Sequence, residues 1–370
     1  MNCGILMFIL LISCCCAVGV IRLETSEKVK ENKLKPKAAK TKRGMVRLDV
    51  NLERIKELEF KPDPVYFGCI HNTSMTEFDV VRSDDKIGIL ELSEKLNNGR
   101  DLSLFFLCTG ETISKKDRRF INSFEWFIHS DTNICYIAYA FNDYEYSIYN
   151  LIFYIKRILE TNRVEFIAKE TSDLLMNVRK KCLETQKNGC LKHMSQVIVV
   201  GYSLGSHIGA YACRYLFQTT GEKVKKLIGL DPAAISIFEV EPDKSYIKSG
   251  DAEFVQVIHT SYLGTQLKTS DSDIYINSDN WYIHNNHRLA VELHELISAK
   301  KLILIASQSG NSKVINLQRN FCFDPDNIEL ESDECIVGVY SHGHQRDEAA
   351  AEEDETVYEV EFPNKSMKFY

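Results

Sequence analysis

A serine flanked by glycines stands where an apolar run gives way to small residues. The motif Gly201-Tyr202-Ser203-Leu204-Gly205 follows the apolar run Val197 to Val200 and precedes a segment rich in small residues. Glycines at these positions permit a sharp strand-to-helix turn that holds the serine in a strained conformation. The pattern predicts Ser203 as a nucleophile, with the backbone N–H of Leu204 as a donor to a developing oxyanion. The alternative is an ordinary strand-to-helix turn.

A serine hydroxyl reacts only when a general base takes its proton and an acid orients that base. In hydrolases with this turn, the acid and then the histidine follow the serine along the chain. The next strand end is the segment Leu227 to Pro232, which makes Asp231 the candidate acid. A plain Asp-Pro turn is the competing interpretation.

Six histidines follow Asp231 in the chain: His259, His284, His287, His294, His342 and His344. His259 ends an apolar run and is predicted to be structural, while His294 falls within the last helix. His287 stands at a loop-to-helix boundary, from which an imidazole can reach back over a sheet edge. Position alone favours His287 only modestly over His284.

The elements around these residues alternate between short apolar runs and longer amphipathic segments. The predicted strands are Leu104 to Cys108, Ile134 to Ala140, Gln196 to Tyr202, Lys226 to Asp231, Phe254 to Thr260 and a short one at Val357 to Phe362. The predicted helices are Tyr146 to Glu160, Glu165 to Cys182, Gly205 to Phe217 and Arg288 to Lys301, while Asn311 to Cys335 is predicted to be loop. This order predicts an α/β fold, with a mostly parallel central sheet and helices on both faces.

Four motifs in this order extend the pattern beyond the serine turn. They read Gly-Tyr-Ser-Leu-Gly-Ser-His, Gly-Leu-Asp-Pro-Ala, Val-Ile-His-Thr and Asn-His-Arg-Leu-Ala-Val-Glu-Leu. From about Val65 onward the chain thereby resembles the pancreatic lipase family, especially its insect phospholipase A1 branch and related yolk proteins. The resemblance implies an α/β-hydrolase fold, Asp231 as the catalytic acid and His287 as the base.

Two departures from that family bear on activity. The family's His-Gly-Phe, whose last amide completes the oxyanion hole, is matched here by Thr109-Gly110-Glu111. The amide of Glu111 would then be the second donor, and loss of one such donor typically costs about 3 kcal/mol. The family's lid is bounded by a disulfide, yet no cysteine occurs between Cys213 and Cys322. The short polar segment Ser261 to Asp273 predicts a short lid, as in the phospholipase A1 branch.

The cysteines and the chain start predict a secreted protein. Residues 1–19 read as a signal peptide, 20–61 as a basic arm or pro-segment with a dibasic site near Arg43, and 62–370 as the hydrolase domain with an acidic patch at 347–355. Eight of the twelve cysteines follow the leader, an even number that fits disulfides in an oxidising compartment. Two or three bridges are expected, with Cys182–Cys190 and Cys322–Cys335 as the short loops. Cys108 and Cys135, in apolar runs, are predicted to be buried thiols.

Composition narrows the function classes. The net charge is −7, and the excess of basic residues is confined to the arm without a recognisable binding module, so no nucleic-acid partner is expected. The chain is interpreted as a secreted lipid carboxylic-ester hydrolase of the phospholipase A1 type that meets a membrane or micelle surface transiently. It needs no metal or organic cofactor. A catalytically weak lipid-binding or yolk-type protein and a small-ester carboxylesterase remain alternatives. Sequons at Asn72 and Asn364 give weak support for glycosylation.

Overall fold

The predicted alternation of strands and helices is confirmed by the computed structural model of the chain. It describes residues 63–141, 148–235, 246–277, 283–309, 312–317, 327–341 and 357–361. The predicted signal peptide (1–19), basic arm (20–61) and acidic patch (347–355) lie outside the described residues, as do Cys322, His342, His344, Asn364 and the side chain of His284.

The described strands are β1 (Tyr66–Ile70), β2 (Asp79–Arg82), β3 (Asp101–Phe106), β4 (Thr132–Ala138), β5 (Val197–Tyr202), β6 (Lys226–Leu230), β7 (Phe254–His259), β8 (Ser272–Asn277), β9 (Leu302–Ser307), β10 (Lys313–Asn316), β11 (Glu334–Ile336) and β12 (Val357–Glu361). The described α-helices are α1 (Lys86–Leu96), α2 (Phe120–His129), α3 (Ile148–Glu160), α4 (Arg163–Thr185), α5 (Leu204–Thr220) and α6 (Ile283–Ser298).

These strands form one sheet in the order β10-β9-β12-β8-β7-β6-β5-β3-β4-β1-β2, with β11 paired to β9. From β4 across to β12 the neighbours run parallel, whereas β1, β2, β9, β10 and β11 pair antiparallel. The chain leaves β3 toward β4 on one side and returns to β5 on the other. Open α/β sheets bind their ligands at such a reversal, so a site is expected at the carboxyl ends of β3 and β5.

Helices cover both faces of the sheet because the central strands are buried on both sides. Leu104 and Phe106 of β3 point into one core with α1, α3, α4 and α5. Phe105 and Leu107, alternate in sequence, point into a second core with α2 and α6. The period-two alternation of a strand thus divides one apolar run between two cores.

Two expectations about the C-terminal half are wrong. The segment Asn311 to Cys335, expected to be loop, contains β10 and the start of β11, and both pair antiparallel with β9. Their strands are short and partly polar because they lie at or near the sheet edge, so they lack the apolar run of a central strand. The last helix begins at Ile283, earlier than the expected Arg288.

Two disulfides join described cysteines. The predicted Cys182–Cys190 bridge is present. The expectation that Cys135 is a thiol is wrong, because it bonds to Cys69 with a Cα–Cα distance of 4.1 Å. Antiparallel pairing of β1 with β4 places these two residues directly opposite each other. Cys108 is buried, as expected.

Among the residues described, no helix has both the length and the apolar character needed to cross a membrane. Over the same ranges, no three His, Cys, Asp or Glu residues cluster in a way that could hold a metal ion.

Candidate active site

Ser203 lies in a strained turn between β5 and α5. Its backbone has φ 55° and ψ −122°, a conformation that costs energy in any residue with a side chain. A Cβ at Gly201 would stand 2.5 Å from Cα of Ser206, and a Cβ at Gly205 would stand 2.5 Å from the carbonyl oxygen of Leu107. Only glycine fits either position. The turn therefore lifts Ser203 to the carboxyl end of the sheet, as the motif predicts.

Leu204 opens α5, so its amide lies in the first helical turn. Amides there lack acceptors within the helix and carry partial positive charge. This position is consistent with the predicted role of Leu204 as an oxyanion donor.

Asp231 stands directly after β6, next to the serine turn. The amide of Ser203 donates to the carbonyl oxygen of Leu230 at 3.0 Å, which joins the ends of β5 and β6. Asp231 is fully buried and adopts φ 44°, in the left-handed region that non-glycine residues seldom occupy. Strain of this kind concentrates at functional sites. Two consecutive strand ends thus present the predicted nucleophile and acid side by side.

His287 meets Asp231 from helix α6. Its Nδ1 lies 2.5 Å from Oδ2 of Asp231, and both side chains are buried. The imidazole also packs against the ring of Tyr202, with centroids 4.9 Å apart, and Tyr202 directly precedes Ser203. Because a carboxylate accepts, the bond favours the tautomer in which Nδ1 carries the proton and Nε2 is unprotonated. Of the three downstream histidines whose side chains are described, His259, His287 and His294, it is His287 that pairs with Asp231.

Two other histidines are structural. His259 is buried between the carbonyl oxygen of Thr265 (2.9 Å from Nδ1) and the carboxylate of Asp273 (2.8 Å from Nε2). His294 is buried against Phe105 and Trp126. Burial lowers the pKa of His294 to about 3, so its imidazole is neutral.

A further neutral histidine, His207 of α5, bonds to the segment that follows Asp231. Nε2 of His207 donates to the carbonyl oxygen of Ala233 at 2.8 Å, and Nδ1 accepts from the amide of Ile247 at 3.3 Å. Burial lowers the pKa of His207 to about 4, which keeps Nδ1 an acceptor at neutral pH. The segment that follows Asp231 is thereby tied to the nucleophile helix.

The loop after β3 holds Glu111, the predicted second oxyanion donor. Its amide donates to the carbonyl oxygen of Cys108 at 3.2 Å, closing a turn in which Gly110 has φ 79°. Its carboxylate accepts from the amide of Cys108 at 3.1 Å and lies 3.5 Å from the guanidinium of Arg119. The charge of Glu111 is thus compensated within its own loop. Donation to an oxyanion requires its amide to leave the Cys108 carbonyl, and the predicted role stays a prediction.

Arg119 is anchored in turn by Asp117. Burial alone would raise the pKa of Asp117, but hydrogen bonds from Arg119 outweigh that effect and lower it. The bonds run from Nε and the amide of Arg119 to Oδ1 of Asp117, at 2.9 and 3.0 Å. This ion pair fixes the guanidinium of Arg119 beside the loop of Glu111, where it is shared between the carboxylates of Asp117 and Glu111.

Sequence reasoning missed one polar residue of the site. The hydroxyl of Ser261 donates to Oδ2 of Asp231, and the amides of Thr260 and Ser261 donate to Oδ1 at 2.9 and 3.2 Å. The available signal was the motif Val-Ile-His-Thr-Ser, which ends the strand next to β6. Residues after neighbouring parallel strands converge on the same edge.

The fold and the strained serine turn define an α/β-hydrolase. A family model described as Lipase matches residues 153–282, which include Ser203 and Asp231. The chain is 37% identical over 86 residues to "Phospholipase A1" of Vespula maculifrons, covering 23% of this chain and 28% of that protein. It is 32% identical over 179 residues to "Phospholipase A1 1" of Dolichovespula maculata, covering 47% and 52%.

These matches confirm the resemblance to the pancreatic lipase family. The aligned part spans about half the length, or less, of the curated relatives just named. Among solved structures, "Structure of arylesterase" aligns with a TM-score of 0.32 at 10% identity over 68% of this chain and 97% of that one. "Crystal structure of ESTFA (FE-lacking apo form)" aligns with a TM-score of 0.28 at 11% identity over 70% and 81%.

Proposed function

We propose that the protein is a secreted lipid carboxylic-ester hydrolase of the phospholipase A1 type, with Ser203, Asp231 and His287 as its catalytic triad. The observation that carries the proposal is the buried 2.5 Å contact between His287 and Asp231 beside the strained Ser203. A buried carboxylate against a histidine, next to a serine held in a strained turn, is the arrangement that activates a hydroxyl for acyl transfer.

The reaction follows from the roles of the three groups. Nε2 of His287 takes the proton of the Ser203 hydroxyl as Oγ attacks the ester carbonyl, and Asp231 stabilises the imidazolium that forms. The amide of Leu204, joined by that of Glu111 when its turn opens, donates to the oxyanion. His287 then protonates the departing alkoxide, which leaves an acyl-serine. Water, deprotonated by His287, hydrolyses that ester and frees the fatty acid.

A phospholipid substrate is supported by the short loop between β7 and β8. Beside Ser261 this loop presents Tyr262, 83% exposed, and Leu267, 49% exposed. Apolar side chains at the rim of a site favour contact with a lipid surface. The names of the relatives, phospholipase A1 in both cases, agree with this substrate class. Secretion is supported by the two disulfides, which persist in oxidising compartments.

The test is hydrolysis of phosphatidylcholine vesicles, triolein emulsion and a short soluble ester by the purified protein, with Ser203→Ala as the control. We expect Ser203-dependent release of the first acyl chain from the phospholipid and little action on triolein. Preference for the soluble ester would identify a carboxylesterase instead. If wild type and Ser203→Ala are equally inert on all three, the proposal is wrong.

One observation favours a second function, lipid binding without turnover. The Glu111 amide is occupied by the Cys108 carbonyl, so the second oxyanion donor is not free in this conformation. A yolk-type storage protein would retain the fold and the lipid-facing rim while losing catalysis. Saturable binding of a fluorescent phospholipid by an inert wild-type protein would support this alternative.

A further inference from the structure

The buried carboxylate of Asp231 is surrounded by donors from one short segment of chain. Oδ1 accepts from the amides of Thr260 and Ser261 at 2.9 and 3.2 Å. Oδ2 accepts from the Ser261 hydroxyl as well as from Nδ1 of His287. A buried carboxylate stays ionised only when such donors replace water. Apart from His287, the side-chain donor among these contacts is Ser261.

The Ser261 hydroxyl points at Oδ2 of Asp231, the carboxylate oxygen that also bonds to Nδ1 of His287. It lies 3.5 Å from Nδ1 of His287, and it accepts from the amide of Leu263 at 3.2 Å. Because that amide occupies a lone pair of the hydroxyl oxygen, the hydroxyl proton is directed toward Oδ2 of Asp231. A donor on Oδ2 fixes the rotation of the carboxylate and disperses its charge.

We propose that Ser261 is a positioning residue for the acid Asp231, and that a buried His259–Asp273 pair holds the loop in which Ser261 lies. The inference rests on the proposed triad. It adds to that triad a hydroxyl that sets the orientation and charge of the acid without touching the substrate.

The loop that carries Ser261 is tied down at its far end. The amide of Thr265 donates to the carbonyl oxygen of Pro232, directly after the acid, at 2.6 Å. Gly264 forms a bridge with Ala233. The carbonyl oxygen of Thr265 accepts from Nδ1 of His259 at 2.9 Å. The loop therefore starts and ends on groups that flank Asp231, which restricts the motion of Ser261.

The anchor of this loop is a second Asp–His pair with no access to substrate. His259 faces two acceptors, the Thr265 carbonyl and the carboxylate of Asp273, so each ring nitrogen is engaged. Asp273 also accepts from the amide of Ser270 at 3.1 Å, and the ring of Tyr275 stacks on His259 at 4.4 Å. Both members of the pair are buried. Their contacts fix the loop rather than a reacting group.

Removal of the hydroxyl has a defined consequence for catalysis. In Ser261→Ala, Asp231 keeps its amide donors but loses the hydroxyl that disperses its negative charge. The more concentrated charge stabilises the imidazolium of His287. The acid limb of the pH profile of kcat/KM should therefore move up by about 0.5 pH unit. A less well-oriented acid should lower kcat about tenfold, with KM within about twofold of wild type, because substrate binding is not touched.

The experiment compares Ser261→Ala with Ser261→Thr, which keeps the hydroxyl, and with the matched control Ser341→Ala. Ser341 is fully buried, and its hydroxyl has no hydrogen-bond partner within the part of the chain described. Steady-state kinetics on phosphatidylcholine vesicles across pH give kcat, KM and the acid limb. Proton NMR of the downfield proton shared by His287 and Asp231 gives a second readout that needs no turnover. Asp273→Asn, which weakens the anchor, should shift both readouts in the same direction and less far.

The possible outcomes distinguish failure of the positioning role of Ser261 from failure of the proposed triad. Lower kcat, a raised acid limb and a moved NMR signal in Ser261→Ala, with recovery in Ser261→Thr and no change in Ser341→Ala, support the positioning role. If Ser261→Ala matches Ser341→Ala in kinetics and in the NMR signal, the inference is wrong although the triad stands. If wild type is inert on all esters, the proposed function fails, while the NMR comparison still tests Ser261.

Discussion

Gly264 tests whether the position of the Asp231 carboxylate determines activity. A Cβ built on Gly264 would stand 2.9 Å from Cγ of Asp231 and closer still to Oδ1. Carbon atoms in ordinary contact lie about 3.5 to 4.0 Å apart, so Gly264→Ala must displace the carboxylate or the loop by about 1 Å. The loop is held by the bridge of Gly264 to Ala233, which directs the displacement toward the carboxylate.

A displacement of this size should lower kcat about 100-fold, because misplacement of catalytic groups by about 1 Å has costs of that order. The assay is initial-rate hydrolysis of phosphatidylcholine vesicles, with the lysolipid quantified and KM determined separately. Gly221→Ala is the matched control: Gly221 has φ 73° and nothing within 4 Å of its would-be Cβ. That variant should lose about 1 kcal/mol of stability through strain while keeping kcat. Wild-type kcat in a folded Gly264→Ala protein would refute the reasoning.

Three further predictions follow from the same contacts. Replacing Cys69 and Cys135 by alanine should lower the free energy of unfolding by about 4 kcal/mol in urea titrations, because the bridge spans 66 residues; opening the 182–190 bridge, which spans 8, should cost about 2.5 kcal/mol. Because folding lowers the pKa of His207 from 6.5 to about 4, the unfolded chain binds the proton first as pH falls, and stability should drop by about 3 kcal/mol between these values. His207→Gln should flatten that part of the pH profile of unfolding, and an unchanged slope would contradict the assignment. Asn72 is exposed and its side-chain oxygen accepts from the amide of Ser74 at 2.9 Å, so protein secreted from a eukaryotic host should carry a glycan there that Asn72→Gln removes. If enzymatic glycan release leaves the mass of the Asn72 protein unchanged, this prediction is wrong.

The parallel core of the sheet could be predicted because each of its strands is a local signal. Strands β3 to β7 lie in apolar runs, helices follow β3, β4 and β5 in the chain, and every predicted central strand is present within a few residues. The antiparallel edges gave no such signal. The strand Asp79–Arg82 is half exposed, with two charged ends, and its place depends on pairing with a distant segment. Long-range register of this kind also decides that Cys69 meets Cys135.

The triad candidates could be named because strand ends converge on one edge of a parallel sheet. The order serine, acid, histidine along the chain also limited the candidate acids and histidines to those after Ser203. Asp231 follows β6 and Ser203 follows β5, so topology alone places them together. The choice of His287 over His284 came from the resemblance rather than from the residues. Ser261 escaped notice because its role depends on the rotation of one hydroxyl and on a loop tied back to Pro232.

The backbone amide of Glu111 could donate to an oxyanion, but the conformation of its loop bonds it to another acceptor. Any residue except proline has an N–H at that position, so sequence alone leaves the second oxyanion donor in place. The turn closed at Gly110 instead commits that N–H to the Cys108 carbonyl. Exchange of this neutral acceptor for an oxyanion is favourable, since charge-assisted hydrogen bonds are about twice as strong as neutral ones. Arg119 compensates the Glu111 carboxylate and so reduces its repulsion of the developing charge. The loop therefore retains the donor but holds it on another acceptor, so measured turnover, rather than the motif, distinguishes the proposed hydrolase from a lipid-binding protein.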